Sequence, residues 1–347
     1  MSKKITIAVT GLNAIDSPGP GVGVIRCLKD CEDFDLRIIG LSYDALEPGV
    51  YMHDLVDKTY QIPYPSAGSE PLMKRLEYIH EMEKLDVIIP NFDAELANYI
   101  KLGDNLMKWG IHTFLPTMDQ MEMLDKMHLA EFGEEHGFLV PRTKTISSIQ
   151  QIDDLEEEFE YPMVVKGRYY EAFIAKNKAQ VTTYFHKLNA KWGLPIIIQE
   201  FIKGTEIDIA GLGDGKGNLV GAIPMRKLYI TSQGKGWSGV VLGDENLIEM
   251  ARKFTKVSRW KSGFELELMR TEDEKYYIME VNPRFPAWIY TTAGAGQNLP
   301  AALVKLTLDI PFEYFEKYEV GKMFVRYAWD LITDISEFHQ LSMTGEL

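Results

Sequence analysis

Apolar residues in the first third of the chain occur in short runs, and amphipathic segments separate these runs. The runs at residues 4–10, 35–41 and 86–90 predict three buried strands, and the intervals between them have helical patterns. Short strands that alternate with helices form parallel sheets. The pattern therefore predicts a small, mostly parallel α/β domain over residues 1–115.

The pattern changes after residue 116. A helical segment at residues 119–136 is followed by several strand-like runs, and their spacing favours antiparallel pairing. This half therefore differs in class from the first and predicts an α+β domain. The last segment, residues 311–347, begins with an amphipathic, aromatic stretch that we expect to pack on the body. The predicted strands after residue 116 are 163–166, 196–202, 206–210, 219–224, 264–269 and 276–281.

Composition narrows the classes of function. The 347 residues include 37 basic and 51 acidic side chains, which gives a net charge of −14. Such a negative field argues against general binding to nucleic acid or to anionic membranes. No apolar window approaches the length that spans a bilayer, and no signal peptide is expected. Cys27 and Cys31 form no disulfide framework, so we expect a cytoplasmic protein.

Acidic side chains mark a predicted hairpin near residues 264–282. Residues two apart in a strand share a face, so Glu265 aligns with Glu267, and Glu280 aligns with Asn282. Facing carboxylates repel each other unless a cation lies between them, and oxygen ligands suit Mg²⁺ or Mn²⁺. A metal site and an exposed, charged strand face both remain open at this point.

Basic residues follow at two places. Arg284 comes directly after the hairpin, where Pro283 ends strand pairing, and a guanidinium there can clamp a phosphate or carboxylate. Arg226 and Lys227 precede a glycine-rich loop at residues 233–239, which contains Trp237 and resembles a substrate lid in composition. A surface arginine and a loop without function are the alternatives.

Three further features suit nucleotide binding. Lys166 ends an apolar strand, where a lysine often meets a phosphate or otherwise reaches solvent. The extended segment at residues 198–202 exposes backbone groups that can read an adenine edge, and Glu206 could then hold ribose hydroxyls. The alternative for this segment is an ordinary edge strand. Lys126 indicates little by itself.

The glycine-rich loop after the first strand suggests a dinucleotide site. Residues 19–23 do not fit the G-x-G-x-x-G spacing well, and no acidic residue stands convincingly at the end of the second strand. A structural turn, or a loop that faces another lobe's ligand, is the preferred interpretation.

The order of these motifs resembles the ATP-grasp superfamily, and within it the carbamoyl-phosphate-synthase and biotin-carboxylase-like branch. The resemblance covers residues 116–310, and residues 88–95 resemble part of the pre-ATP-grasp domain that normally precedes this fold. The motifs that carry it are Leu124-Asp125-Lys126, Val140-Pro141-Arg142-Thr143, Tyr161 to Lys166, Gln199 to Glu206, and Gly263 through Glu267 to the Glu280-Val281-Asn282-Pro283-Arg284 run.

The resemblance implies a domain plan and residue roles. A pre-ATP-grasp domain at 1–115 precedes an ATP-grasp domain of two lobes at 116–310, with ATP between the lobes, and a tail at 311–347. The resemblance implies that Lys126 and Lys166 contact the ATP phosphates, with Lys166 also near the adenine. The adenine hinge would be Glu200, Phe201 and Ile202, and the ribose ligand would be Glu206. The Mg²⁺ ligands would be Glu267, Glu280 and Asn282, and the catalytic arginines would be Arg284 and Arg226.

One segment departs from the family pattern. A glycine-rich flap usually follows the second lysine, but residues 167–172 read Gly-Arg-Tyr-Tyr-Glu-Ala. Backbone N–H groups of such a flap normally cradle phosphates. We expect Arg168 to serve as a charged ATP contact instead.

The resemblance implies an ATP-dependent ligase that uses ATP and Mg²⁺, with Mn²⁺ as the alternative metal. It would convert a carboxylate to an acyl phosphate and join it to an amine, with release of ADP and phosphate. The expected partners are small-molecule or peptide carboxylates and amines, and a homodimer is one assembly to test. A kinase-like phosphate-transfer protein and an ATP-binding regulatory module are the alternatives.

Overall fold

The computed structural model describes residues 4–167, 171–232, 234–328 and 330–347. Its strands are β1 (Lys4–Val9), β2 (Ala14–Ile15), β3 (Ser17–Pro18), β4 (Asp35–Ser42), β5 (Lys58–Gln61), β6 (Val87–Ile89), β7 (Thr143–Ile146), β8 (Met163–Lys166), β9 (Ala172–Ala175), β10 (Ile196–Glu200), β11 (Thr205–Asp214), β12 (Leu219–Ile230), β13 (Gly236–Val241), β14 (Lys261–Arg270), β15 (Tyr276–Asn282) and β16 (Met323–Val325).

The helices within the described residues are α1 (Pro20–Lys29), α2 (Ser69–Glu83), α3 (Asp93–Lys108), α4 (Met118–Met123), α5 (Leu129–His136), α6 (Leu155–Glu158), α7 (Lys178–Trp192), α8 (Glu245–Ser258), α9 (Tyr290–Gly294), α10 (Leu299–Thr307) and α11 (Ile335–Thr344). Short 3₁₀ turns occur at Pro48–Tyr51, Pro65–Ala67 and Ile149–Ile152.

The N-terminal strands form a parallel sheet in the order β5-β4-β1-β6. Ile7 lies opposite Ile38 on one side and Val87 on the other, and all three side chains are fully buried. Burial on both faces explains why these strands read as nearly continuous apolar runs. The prediction of a small parallel α/β domain is confirmed.

The glycine-rich loop brings α1 close to the end of β1. Gly21 donates a backbone hydrogen bond to the Gly11 carbonyl at 2.9 Å. A Cβ atom at Gly21 would lie 2.0 Å from the carbonyl oxygen of Thr10, so only glycine fits at this position. Tight helix–strand packing therefore accounts for this glycine without any bound ligand.

Two further sheets follow in sequence. One has the antiparallel order β7-β10-β8-β9, and the other has the order β15-β14-β11-β12-β13-β16. The expected antiparallel-rich second half is confirmed. Strands β11, β12, β14 and β15 are longer than predicted, whereas β10 ends two residues earlier. The helix expected over residues 119–136 is instead two helices, α4 and α5, because the chain turns at residues 124–128.

The chain divides into two compact units. The first comprises residues 1–118, 208–265 and 282–347, and the second comprises residues 119–207 and 266–281. The core of the first unit includes Ile7, Val24 and Phe285, and the core of the second includes Phe185 and Ile198. The domain boundaries expected from sequence remain a prediction.

The C-terminal segment packs within the first unit. Strand β16 pairs with β13, and Leu341 of α11 is fully buried. The backbone of Leu347 exchanges two hydrogen bonds with Thr59, at 2.7 and 3.0 Å. Throughout the described ranges, no helix has both the length and the apolar character to cross a membrane.

Glu47 is a buried carboxylate in the first unit. Its side chain is 5% exposed, and Oε1 accepts the backbone N–H of Tyr43 at 2.9 Å. Burial raises its pKa from 4.5 to about 7. Because the pKa of Glu47 is higher in the folded protein than in the unfolded chain, the folded protein favours the protonated carboxyl. Its contribution to stability is fully present below pH 4.5 and is lost as the pH rises towards 7.

Replacing Glu47 with Gln should therefore flatten the pH dependence of stability. The pKa shift from 4.5 to about 7 limits the contribution of Glu47 to the pH dependence of the unfolding free energy to about 3 kcal/mol. Between pH 5 and 8, we expect the unfolding free energy of Glu47→Gln to fall by about 2 kcal/mol less than that of the wild type. Urea unfolding at several pH values measures this. Glu32→Gln, at an exposed position, is the control and should track the wild type. Parallel pH curves for Glu47→Gln and the wild type would contradict the assignment.

Candidate functional site

Lysines and glutamates predicted from the motifs come together in the second unit. The Nζ atom of Lys126 lies 3.2 Å from Oε1 of Glu280. Lys166 is close enough to interact electrostatically with Lys126, Glu280 and Glu267. We call these four residues, Lys126, Lys166, Glu267 and Glu280, the lysine–glutamate cluster.

A side-chain cap positions Lys126. Oδ1 of Asp125 accepts the backbone N–H groups of Met127 at 2.8 Å and His128 at 3.0 Å, and it lies 2.8 Å from Nδ1 of His128. An aspartate that bonds to the backbone two and three residues ahead forms a turn and competes with a continuous helix. The turn places Lys126 between α4 and α5 rather than on a solvated helix face.

Lys166 is the last residue of β8, and its neighbours shift its proton affinity. Burial lowers the pKa of Lys166 and the Lys126 charge lowers it further, whereas Glu280 and Glu267 act in the opposite direction. A buried ammonium is costly unless negative charges surround it. A phosphate group close to both lysines would meet that requirement.

The two glutamates of the cluster come from neighbouring strands, β14 and β15. Burial raises the pKa of Glu280 and the nearby Glu267 carboxylate raises it further, while Lys126 and Lys166 oppose the shift. Two such carboxylates offer the hard oxygen ligands that Mg²⁺ prefers, so the donor set fits this ion. Considering only the described part of the chain, no three His, Cys, Asp or Glu side chains group together as a metal site.

The predicted adenine hinge links β10 to β11 in the second unit. Glu200 ends β10, and its Oε2 atom lies 3.4 Å from Nε of Arg142. Ile202 is 8% exposed. A Cβ atom at Gly204 would lie 2.2 Å from the Arg270 carbonyl oxygen, so a glycine is required beside β14. Glu206 is the second residue of β11.

The strand that follows Lys166 in sequence, β9, pairs antiparallel with β8. Strands β8 and β9 pair with Lys166 opposite Ala172, and the Gly167 N–H donates to the Glu171 carbonyl at 3.1 Å. Glu171 has a φ of +66° and forms an ion pair with Lys191 at 2.9 Å. Arg168, which we expected to contact ATP, lies outside the described residues.

In the first unit, Glu265 is a buried hydrogen-bond acceptor. It is 6% exposed, and it accepts from Nδ2 of Asn282 at 3.0 Å, Nε1 of Trp288 at 2.8 Å and Nη1 of Arg284 at 3.5 Å. Arg284 also lies 3.2 Å from Oδ1 of Asp93 through its Nε atom. These contacts fix the amide of Asn282 and the guanidinium of Arg284. Glu265 therefore has a positioning role that the sequence did not reveal.

The two basic residues of β12 lie in different surroundings. Arg226 is exposed and pairs across the strands with Val240. The Lys227 side chain is 8% exposed, and its Nζ atom lies 3.3 Å from Oδ1 of Asp208, which is 2% exposed. Consecutive side chains of a strand point to opposite faces. Lys227 therefore occupies a buried ion pair, whereas Arg226 faces away from it.

Arg326 is a further basic residue that sequence reasoning missed. It follows β16, and its backbone N–H donates to the Trp237 carbonyl at 3.0 Å. Trp237 itself belongs to β13, so the glycine-rich loop is shorter than predicted. Gln233 of that loop lies outside the described residues, and its role as a substrate lid remains a prediction. No local motif marks Arg326, because strand pairing alone brings it beside Trp237.

Comparison with known proteins agrees with this fold. Residues 194–326 match the family model described as "ATP-grasp in the biosynthetic pathway with Ter operon". The chain is 27% identical over 275 residues to the carbamoyl phosphate synthase large chain of Clostridium beijerinckii, across 75% of this chain and 24% of that protein. The chain thus spans about a quarter of the length of this relative.

Two solved structures are similar to the chain. The biotin carboxylase domain of the 2-oxoglutarate carboxylase of Hydrogenobacter thermophilus, in complex with MgADP and bicarbonate, has a TM-score of 0.69 at 16% identity, over 89% of this chain and 70% of that one. The L-amino acid ligase of Bacillus licheniformis has a TM-score of 0.65 at 15% identity, over 90% and 76%.

The protein therefore has the ATP-grasp fold. Within that class, it is related to carbamoyl phosphate synthase large chains and shares its fold with biotin carboxylases. The resemblance seen in the sequence is confirmed.

Proposed function

We propose that the protein is an ATP-dependent ligase that activates a carboxylate as an acyl phosphate and joins it to an amine. The observation that carries the proposal is the lysine–glutamate cluster, which places two ammonium groups beside two carboxylates in an ATP-grasp fold. Relationship to carbamoyl phosphate synthases, and a fold shared with an L-amino acid ligase, support the same class of reaction.

The cluster supplies two kinds of charge to the nucleotide. Lys126 and Lys166 bind phosphate oxygens, which explains why two lysines lie close together despite their repulsion. Glu267 and Glu280, with the amide oxygen of Asn282, hold Mg²⁺. When bound, this ion neutralises charge on the ATP phosphates. The similar biotin carboxylase domain that was solved with MgADP supports this choice of metal.

The remaining roles concern nucleotide position and charge at the acyl group. Glu200, Phe201 and Ile202 contact the adenine, and Glu206 holds the ribose. Arg284 is a planar donor whose orientation is set by Glu265 and Asp93, so it is ready to stabilise an acyl phosphate. Preorganised donors of this kind lower the barrier because they need no rearrangement during the reaction.

Hydroxylamine trapping tests the proposal. The full-length protein is incubated with ATP, Mg²⁺ and each member of a panel of amino acids and dipeptides, and ADP and hydroxamate are both measured. A ligase gives hydroxamate together with ADP, because hydroxylamine intercepts the acyl phosphate. ADP with a stable phosphorylated acceptor and no hydroxamate would indicate a kinase. Tight ATP binding without ADP from any acid would indicate a regulatory module.

A further inference from the structure

Strand β16 forms one border of the six-stranded sheet. It pairs with β13 on one side, and no strand of the described ranges lies on its other side. The backbone N–H of Arg326 donates to the Trp237 carbonyl of β13 at 3.0 Å. Backbone groups of successive residues in an antiparallel strand point alternately towards and away from the neighbouring strand. The N–H and C=O groups of Met323 and Val325 therefore point away from β13, towards the open edge.

The side chains at this open edge are apolar and exposed. Met323 is 56% exposed and Val325 is 65% exposed. They lie opposite Val240 and Ser238 of β13, and residues two apart in a strand share a face. The exposed apolar side chains and the outward-pointing backbone groups therefore belong to the same two residues of β16.

Within the part of the chain that the structure describes, β16 lacks the features that usually prevent a strand from pairing at an edge. Those features are a proline, an inward-pointing charge, a bulge or a covering helix. The sequence of β16 is Met-Phe-Val, and it pairs with β13 without a register shift. Tyr327, two residues beyond Val325, adds another exposed side chain at 72%. An exposed hydrophobic edge of this kind is a template for one more strand.

Backbone direction restricts how two copies of β16 could pair antiparallel. Residues with outward-pointing groups have to face each other, so odd-numbered residues pair with odd-numbered residues. With Val325 opposite Val325, Met323 lies opposite Tyr327, so large apolar or aromatic residues face each other. With Val325 opposite Met323, Lys322 would lie opposite Arg326, and like charges directly opposite each other are destabilising.

A third register is unsuitable because of the turn before β16. With Met323 opposite Met323, Val325 would lie opposite Gly321, which precedes the strand and has a φ of +84°. A residue in this left-handed region does not continue a strand. The register centred on Val325 is therefore the one of the three that satisfies backbone direction, apolar matching and charge together.

We propose that the protein forms a two-fold symmetric dimer in which β16 pairs antiparallel with β16 of a second copy, with the two Val325 residues opposite each other. This pairing joins two six-stranded sheets into one continuous sheet. A second copy fits the edge because a two-fold interface needs a surface that is complementary to itself. The register centred on Val325 has that property.

Sedimentation velocity of the full-length protein tests the dimer. One pair of short strands is a small interface, so we expect a dissociation constant on the order of 10 µM. The apparent mass of the wild type should rise from 39.6 kDa towards twice this value between about 1 and about 200 µM protein. A wild type that remains monomeric over this range would overturn the inference.

Val325→Pro separates edge pairing from folding. The N–H of Val325 points away from β13, so proline removes a donor from the open edge and none from the pairing with β13. We expect self-association at least about tenfold weaker than in the wild type, with the same far-UV circular dichroism.

Val325→Asp is the second variant, because it places two negative charges opposite each other at the two-fold axis and changes only an exposed side chain. It should weaken self-association as Val325→Pro does. Ile15→Asp is the matched control, since Ile15 is another exposed β-branched residue in a short strand, and it should associate like the wild type.

Cross-linking tests the register. The Cα atoms of a hydrogen-bonded antiparallel pair lie about 5.5 Å apart, which is within the range that a disulfide spans. In a Cys31→Ser background, which leaves the buried Cys27 as the remaining native thiol, mild oxidation should link Val325→Cys chains into a covalent dimer. Ile15→Cys chains in the same background should remain mostly unlinked.

Two further results would reject the dimer as drawn. Wild-type self-association in Val325→Asp would place the interface elsewhere, and equal cross-linking of Val325→Cys and Ile15→Cys would reject the register centred on Val325. Neither measurement requires ATP turnover, so the dimer and the proposed ligase are accepted or rejected separately.

Discussion

Replacing Glu280 with Gln is expected to reduce Mg²⁺-dependent ATP cleavage by at least about 100-fold and to leave the fold intact. Glu280 is the carboxylate that contacts Lys126 at 3.2 Å, and Glu267 lies close to it. Glutamine keeps the volume but removes the charge, so it is a much poorer ligand for a hard divalent cation. It also removes the ion pair between Glu280 and Lys126.

The measurement pairs kinetics with binding. ADP release is followed over a range of Mg²⁺ concentrations with an acid that is active in the hydroxylamine assay, and MgATP affinity is measured by calorimetry. In Glu280→Gln we expect slower ADP release, weaker MgATP binding and a higher Mg²⁺ concentration for half-maximal activity. Glu272→Gln is the matched control, because Glu272 is 88% exposed in the turn between β14 and β15. Wild-type rates in Glu280→Gln would reject the metal assignment.

Stability should be nearly unaffected by the same change. Burial and Glu267 raise the pKa of Glu280, so its charge is not a favourable term in the folded protein. Removing one of two neighbouring carboxylates also relieves repulsion, which offsets the lost contact with Lys126. An unfolding free energy within about 1 kcal/mol of the wild type would show that the lost activity reflects the site and not the fold.

Local sequence patterns predicted much of this molecule. Short apolar runs that alternate with amphipathic helices predicted the buried strands β1, β4 and β6 and their parallel sheet. The motifs around Lys126, Lys166, Glu267 and Glu280 predicted residues that do lie together, because each motif includes the local element that positions its side chain. The break between α4 and α5 was not predicted, because it depends on the Asp125 carboxylate accepting the backbone N–H groups of Met127 and His128.

Other site features depend on strand register, which the sequence does not contain. Arg226 and Lys227 are adjacent in sequence, and only the pairing of β12 with β13 shows which one points towards Asp208. Arg326 meets Trp237 through pairing between strands that are more than 80 residues apart. The role of Glu265 likewise depends on Trp288 and Arg284, which follow a later strand.

Replacing Gly21 with Ala should destabilise the first unit by about 3 kcal/mol or more. Alanine favours a helix over glycine by up to about 1 kcal/mol, so a neutral or stabilising effect would be expected from position alone. A Cβ atom here would lie 2.0 Å from the Thr10 carbonyl oxygen and 2.7 Å from that of Gly11. Both are backbone atoms at the end of β1, so α1 has to move away from the sheet.

Gly103→Ala is the matched control for this change. Gly103 lies inside α3 in the same unit, and a Cβ atom there would meet nothing within 4 Å. It should therefore gain roughly 0.5–1 kcal/mol from helix propensity. Urea unfolding, followed by far-UV circular dichroism, compares the two variants. If the two units unfold in separate transitions, the midpoints of the earliest transition are compared. Equal midpoints for Gly21→Ala and Gly103→Ala would mean that the glycine-rich loop is not held by this contact, and a ligand-binding role for the loop would then become the better explanation.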